Sequence, residues 1–300
     1  YGKALRIAID HFNQAIELDA NYALAYAGLA DCYVAMSAYA AASPKDAYPK
    51  AKEAAEKALE IDNQLAEALT SLAHIAWLYD WDWPEAERKF KQAIDLNPNY
   101  ATAHQWYAVY LSSLERHEEA LTEARRAQEI DPTSIPISED LARVFYHAHR
   151  FDEAISAGLK TRELEPNYYR VNSWLSMAYE QKGLYDQAIE DRLKAMSLVG
   201  VKPEEIEAGR TAYRDSGWPG YWRKELELTK KRAQHIYILP YNVARICARL
   251  GIKDEAFAWL EKAYEERSEH LTMLNVDPLL DSLRPDPRFA NLVRRVGLEQ

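Results

Sequence analysis

The chain has 300 residues, of which 48% are hydrophobic and 28% are charged, and its 13 Pro and 10 Gly are thinly spread. This composition is typical of a soluble folded protein and excludes a low-complexity or disordered chain. The net charge is −10, with Lys+Arg to Asp+Glu counts of 9 to 15, 11 to 16 and 17 to 16 in successive hundreds of residues. Because no basic stripe accompanies this acidity, we expect no direct contact with nucleic acid.

Cysteine content and hydropathy indicate the compartment. Cys32 and Cys247 are far apart and cannot form a disulfide framework, so we expect buried free thiols in a reducing environment. The longest uncharged stretch, 97–114, contains proline and polar residues, and we therefore expect no membrane span. These features predict a cytoplasmic protein, or a periplasmic one if a membrane anchor precedes Tyr1. Since the chain starts inside a helical pattern without Met, we expect a fragment of a longer protein.

The dominant pattern is an internal repeat. A five-residue phrase recurs as Ala15–Asp19, Ala58–Asp62, Ala93–Asn97 and Ala127–Asp131, and each copy has another alanine seven residues before it. The alanines at this earlier position, continued along the chain, are Ala8, Ala51, Ala86, Ala120, Ala154, Ala188 and Ala256. Their successive gaps are 43, 35, 34, 34, 34 and 68 residues, the last being twice 34. A period of this length predicts a stack of two-helix units, each packed on its neighbours.

The pattern resembles the tetratricopeptide repeat, a helix–turn–helix unit of 34 residues. The matching positions are small residues at Ala30, Ala73, Ala108, Ala142, Ser176 and Ala244, large residues at Tyr33, Leu111, Phe145, Tyr179 and Tyr213, closing prolines at Pro98, Pro132 and Pro166, and turn glycines at Gly183 and Gly251. Small residues are needed where two helices cross closely, and proline ends a helix because it cannot continue the hydrogen-bond ladder. The resemblance implies an all-α fold, a right-handed α-solenoid of antiparallel helix pairs.

The repeat divides the chain into units. We expect a half repeat at 1–22, complete repeats at 23–65, 66–100, 101–134, 135–168, 169–202, 203–236 and 237–270, and a C-terminal capping segment at 271–300. The first unit is nine residues too long, around 37–45. The unit 203–236 departs from the pattern because Arg210 and Trp222 replace small residues and a sharp turn is expected at 217–220. A last helix at 289–296 is expected to seal the end of a stack whose two ends stay open.

The resemblance also implies where a partner binds, because the first helix of each repeat lines the concave surface in this family. The residues at the lining positions are His74, Trp77, Gln105, Trp106, Val109, Glu139, Arg143, Tyr146, His147, Arg170, Trp174, Met177, Arg214, Tyr241, Asn242, Arg245 and Arg249. Tyr, Trp, Met and Arg are enriched at interface cores. We therefore expect a non-catalytic scaffold that binds a protein or peptide, with no cofactor. The chain end also resembles the ends of repeat regions in bacterial signalling and transcriptional regulators.

Motifs for catalysis or metal binding are weak. No phosphate-binding loop, nucleophile elbow or HExxH motif occurs, and His147 and His149 are spaced so that they point in different directions on a helix. The absence of asparagine at the ninth repeat position does not favour the chaperone-tail partners of this family. The alternative is an enzyme, for example a carbohydrate-active toroid of helical hairpins, which the 20 Tyr and 8 Trp would suit. Open ends would argue against that closure.

Overall fold

A computed structural model describes residues 2–39 and 41–299 of the chain. Tyr1 and Gln300, the outer limits of the predicted half repeat and cap, lie outside the described residues, as does Ala40 in the predicted long first unit. Within the described part the chain is helical and contains no strand. The fold is therefore an all-α tetratricopeptide-type solenoid, as the sequence predicts.

Helices follow one another in antiparallel pairs. The bounds are α1 Gly2–Leu18; α2 Ala23–Ala38 and α3 Pro44–Ile61; α4 Ala66–Ile75 and α5 Trp83–Leu96; α6 Ala101–Ser113 and α7 His117–Ile130; α8 Ile135–His147 and α9 Phe151–Leu164; α10 Tyr169–Gln181 and α11 Tyr185–Leu198; α12 Pro203–Arg232; α13 Pro240–Arg249 and α14 Lys253–Glu265; and α15 Pro287–Arg295. A π-helical turn, Ala76–Asp80, extends α4, and the 3₁₀ helices Glu269–Met273 and Pro278–Leu283 precede α15. The unit boundaries given above remain a division that we propose.

Alanines occupy the closest helix crossings. The second helices of the pairs contribute Ala51, Ala86, Ala120, Ala188 and Ala256, none of which has any solvent exposure. Their partners on the first helices, among them Ala73 and Ala108, are equally buried. Because a methyl group is all that fits between two helices at such a distance, larger side chains pack beside the crossings instead.

The turn inside each pair also repeats with the period of 34. One residue at the same place in every turn has a positive φ, namely Trp81, Glu115, His149, Gly183, Gly217 and Gly251. At Gly217 this left-handed residue and its neighbour Ser216 interrupt α12, so the irregular unit keeps the same turn. Three of the six are glycines, which adopt this conformation without the steric cost that other residues bear.

The C-terminal segment closes the array on itself. Tyr48 of α3 donates its hydroxyl hydrogen to Glu269 Oε2 at 2.8 Å, and Trp83 Nε1 donates to the carbonyl of Val296 at 2.9 Å. The Arg267 guanidinium lies 4.2 Å from the ring centre of Trp81. These contacts join the last unit to α3 and to the segment 76–83, so the expectation of open ends is wrong. The accumulated curvature of the stack brings its ends together, and we name this contact region the seam.

The terminal helix buries the side that the sequence indicates. Phe289, Leu292, Val293 and Val296 are buried, whereas Arg294 is exposed. This apolar face covers the α13–α14 pair and also reaches the seam, since Gly297 packs against the indole of Trp83. The segment is therefore more than a cover for the last repeat.

We expect Gly183→Ala to destabilise the protein by about 1–2 kcal/mol because the alanine would hold a positive φ. No atom lies within 4 Å of the added methyl group, so the change isolates the backbone conformation. Glu115→Gly, at the same turn position of another unit, is the matched variant and should gain about 0.4–1 kcal/mol. Urea unfolding measures both, and equal signs for the two variants would contradict the argument.

We expect Trp83→Phe to open the seam locally. The buried carbonyl of Val296 would lose its donor, at a cost of about 1–3 kcal/mol. Hydrogen exchange should accelerate in 76–83 and 287–298 while the central pairs keep their protection. Trp259→Phe is the control, because its indole donates only at 3.4 Å to Glu255 on its own helix. Uniform acceleration throughout the chain would show that the contact is not a local closure.

Candidate functional site

The closed array surrounds a central cavity of about 720 Å³. Its wall is formed by the first helices of successive pairs, α2, α4, α6, α8, α10 and α13, and is completed by residues 269–277. The second helices lie on the outside. The concave surface is thus an enclosed space of a size that ligand pockets commonly have.

Most of the predicted lining residues lie on this cavity. The ones that line it are His74, Trp77, Gln105, Trp106, Val109, Glu139, Arg143, His147, Arg170, Trp174, Met177, Tyr241, Asn242, Arg245 and Arg249. Tyr146 does not line it: the side chain is fully buried and packs against Phe151 of the paired helix and against Trp174. Arg214 lies elsewhere, exposed on α12 and paired with Asp215, because the first half of that helix does not reach the cavity.

Sequence reasoning missed several residues of the wall. Asp140 lies beside the predicted Glu139, and Glu269, His270 and Asp277 come from the closing segment beyond the last repeat. The repeat register places Asp140 off the lining positions. No local pattern marks the other three, since their placement depends on the closure of the whole array.

One buried carboxylate organises the middle of the wall. Glu139 accepts hydrogen bonds from Tyr168 Oη at 2.6 Å, from Arg170 Nε at 2.8 and 2.9 Å, and from Trp174 Nε1 at 2.8 Å. Such a desolvated carboxylate is tolerated only when it is fully paired. The hub joins α8 to α10 and fixes the plane of the Trp174 indole.

Two further arginines of the wall are paired in the same manner. Arg249 donates through Nε and Nη2 to both oxygens of Glu180, at 2.7 and 2.8 Å. Arg245 Nε lies 2.8 Å from Asp277 Oδ2, which also accepts from Tyr241 Oη at 3.0 Å. These pairs connect α13 to α10 and to the closing segment, so they hold the shape of the cavity.

Arg143 is different. Its Nη1 lies 3.7 Å from Asp140 Oδ1, and its Nε has no hydrogen-bond partner among the described residues. The carboxylate of Asp140 instead accepts from Gln105 Nε2 at 2.7 Å. Burial lowers the pKa of Arg143, and the positive charge of Arg170 adds to this effect. The guanidinium is therefore the least neutralised cation of the wall that these contacts reveal.

Three histidines of the wall are held neutral. Burial, followed by the charge of Arg143, lowers the pKa of His74 to about 3. Burial and neighbouring arginines lower the pKa of His270 to about 3 and that of His147 well below its usual value. Nδ1 of His74 and Nδ1 of His270 have no hydrogen-bond partner among the described residues.

Two indoles provide apolar contact area. Trp106 lies against His74, with ring centres 4.3 Å apart, and Trp174 lies beneath the Arg143 guanidinium at 5.7 Å. Both are only partly buried, so their faces remain available to a ligand. Aromatic faces beside a cation can hold an apolar group and a charged group of one molecule together.

The described residues contain no group of three or more His, Cys, Asp or Glu side chains able to hold a metal ion. No helix in the described part of the chain has the length and apolarity that a membrane span requires. Cys32 and Cys247 are both buried and unpaired.

We expect His74→Gln to flatten the acid dependence of stability. Below pH 6.5 the unfolded chain protonates this imidazole, whereas the folded protein does so only near pH 3. Stability is therefore lost as the pH falls through this window, at about 1.4 kcal/mol per pH unit for one histidine. Urea unfolding between pH 6 and 4 should show a slope smaller by that amount in the variant. His11→Gln, on an exposed site, controls for loss of an imidazole; an unchanged slope in His74→Gln would contradict the assignment.

Comparisons with known proteins agree with this geometry. Residues 78–135 and 139–196 match a family model described as tetratricopeptide repeat. Over 130 residues the chain is 31% identical to the transcriptional regulator HilA of Salmonella typhimurium, a match that covers 43% of this chain and 23% of the relative. The chain thus spans less than a quarter of the curated relative that it matches.

Solved structures with similar folds include PilF of Pseudomonas aeruginosa, at 16% identity and TM-score 0.48, covering 88% of this chain and 97% of that one. YrrB, a TPR protein with an unusual peptide-binding site, has 20% identity and TM-score 0.43, covering 67% and 97%. The family match and the helix pairs together identify the chain as a tetratricopeptide-repeat protein that resembles a transcriptional regulator over part of its length.

Proposed function

We propose that this chain is a non-catalytic protein-interaction module of a larger bacterial regulator, and that it binds a short peptide segment of its partner in the central cavity. The observation that carries the proposal is that fourteen of the sixteen side chains predicted to bind, which exclude the hub Glu139, line one cavity, and only Tyr146 and Arg214 do not. The partial likeness to a transcriptional regulator supports the regulatory role.

The dimensions of the cavity favour a segment over a folded domain. A space of about 720 Å³ holds a few side chains. Indole faces at Trp106 and Trp174 offer rigid contact area, which is typical of residues that dominate binding energy. The paired arginines would orient the backbone or polar side chains of the segment without leaving an unpaired charge.

The state of the buried carboxyl groups supports a binding role over catalysis. Burial raises the pKa of Asp140 and of Glu269, a property that acid catalysts share. Each group is nevertheless engaged within the protein, Asp140 by Gln105 and Glu269 by Tyr48. A carbohydrate-active enzyme needs two carboxyl groups that are free to reach a substrate. The unpaired cysteines fit the reducing environment of the cytoplasm, where we place the module.

We expect Trp106→Ala and Trp174→Ala each to weaken binding of selected peptides by about tenfold or more, equivalent to about 1.4 kcal/mol. Peptides of six residues would be selected from a random displayed library against the wild-type protein, and affinities would be measured by fluorescence anisotropy. Arg214→Ala is the matched control, because Arg214 lies outside the cavity, and it should leave affinity unchanged.

The opposite result is equally informative. If both tryptophan variants fold and retain wild-type affinity, the peptides bind another face and the cavity is not the partner site. Circular dichroism and the urea midpoint establish that each variant is folded before its affinity is compared.

A further inference from the structure

The five arginines of the cavity differ in how completely the protein satisfies them. Arg170, Arg245 and Arg249 each have a carboxylate oxygen within 2.8 Å. Arg192 has a longer ion pair, 3.8 Å to Glu225, but its Nε donates to Tyr221 Oη. Arg143 has only the 3.7 Å contact with Asp140, and its Nε is unpartnered.

The acidic neighbours of Arg143 do not make up this deficit. The carboxylate of Glu139 is occupied by three donors from α10 and its approach. Burial raises the pKa of both Asp140 and Glu269, which reduces the negative charge that they present to the guanidinium. Arg170 adds positive charge on the same side. A buried cation in this position stabilises an additional anion strongly, because little water competes for it.

The groups that face Arg143 from other elements are uncharged. His74 on α4 and His147 on α8 are neutral at physiological pH, and so is His270 on the closing segment. Trp174 lies beneath the guanidinium, and Trp106 lies against His74. The surroundings therefore combine one under-paired cation with planar apolar walls.

We propose that Arg143 and the two indoles form a subsite for a free small organic carboxylate with a planar apolar body, and that this molecule competes with the peptide segment. The proposal rests on the proposed function, because it assigns the regulation of the same cavity. The carboxylate accepts hydrogen bonds from Arg143, including its unpartnered Nε–H, and the apolar body contacts Trp106 and Trp174. Binding of the small molecule would then control whether the partner is held.

The confined shape favours a small molecule for this role. The seam closes the ring, so the space around Arg143 is bounded by helices on several sides and by residues 269–277. A volume of about 720 Å³ is in the range of pockets that bury a small ligand almost completely. A compact acid can fill the subsite without the ordering cost that a flexible peptide carries.

The test uses phenylacetate and indole-3-acetate as probes, with phenylacetamide as the uncharged analogue. Calorimetry on the wild-type protein should show phenylacetate binding about tenfold or more tighter than phenylacetamide, as expected for a charge-assisted hydrogen bond. Arg143→Gln should abolish this preference, whereas Arg126→Gln, an exposed arginine of α7, should keep it. Increasing phenylacetate should raise the apparent Kd of a selected peptide in proportion to its occupancy.

The outcomes separate the two proposals. Equal affinity for the acid and the amide, or a full preference in Arg143→Gln, overturns the carboxylate subsite. Peptide binding with no acid binding at 10-fold excess over the peptide-saturating range leaves the proposed function standing and refutes the subsite. Acid binding without peptide binding supports the subsite and refutes the peptide proposal, and binding of neither refutes both. The acid–amide comparison is made on the wild-type protein, so it remains decisive even if Arg143→Gln does not fold.

Discussion

The fully buried alanine at each helix crossing is the constraint on which the rest of the structure depends. Ala86 and Ala120, like their equivalents in other pairs, leave no room for a larger side chain between the two helices. The close approach fixes the angle within each pair, and repetition of that angle every 34 residues turns the first helices toward a common centre. The central cavity and the meeting of the array with its own C-terminal segment both follow from this repeated geometry.

Closure and the electrostatics of the cavity are parts of the same arrangement. The closing segment brings Asp277 against Arg245 and places Glu269 where Tyr48 donates to it. Without that segment, the wall would contain desolvated arginines with fewer partners, which is costly in a confined space. The carboxylates that complete the wall therefore also stabilise the seam, and the residual deficit is concentrated at Arg143.

The sequence predicts the helical pairs and most of the wall because both depend on local periodicity. Repeat position alone places Trp106, Arg143 and Trp174 correctly. It fails for Tyr146, whose ring turns into the contact with α9, and for Arg214, because the unit that contains it does not bring that helix to the wall. Asp277 and the closure of the array depend on packing between segments more than two hundred residues apart, for which no short-range pattern exists.

The seam also changes how the chain must fold. In an open repeat array each unit contacts only its neighbours, so structure can grow from any unit and fray from either end. Here Tyr48 pairs with a residue 221 positions away, and Trp83 with one 213 positions away. Such distant contacts form late, because the entropy of closing the intervening chain is lost before they provide any stabilisation. The ring thus combines the rapid local assembly of a helical array with a slow final joining step, and only the joined molecule has a complete cavity.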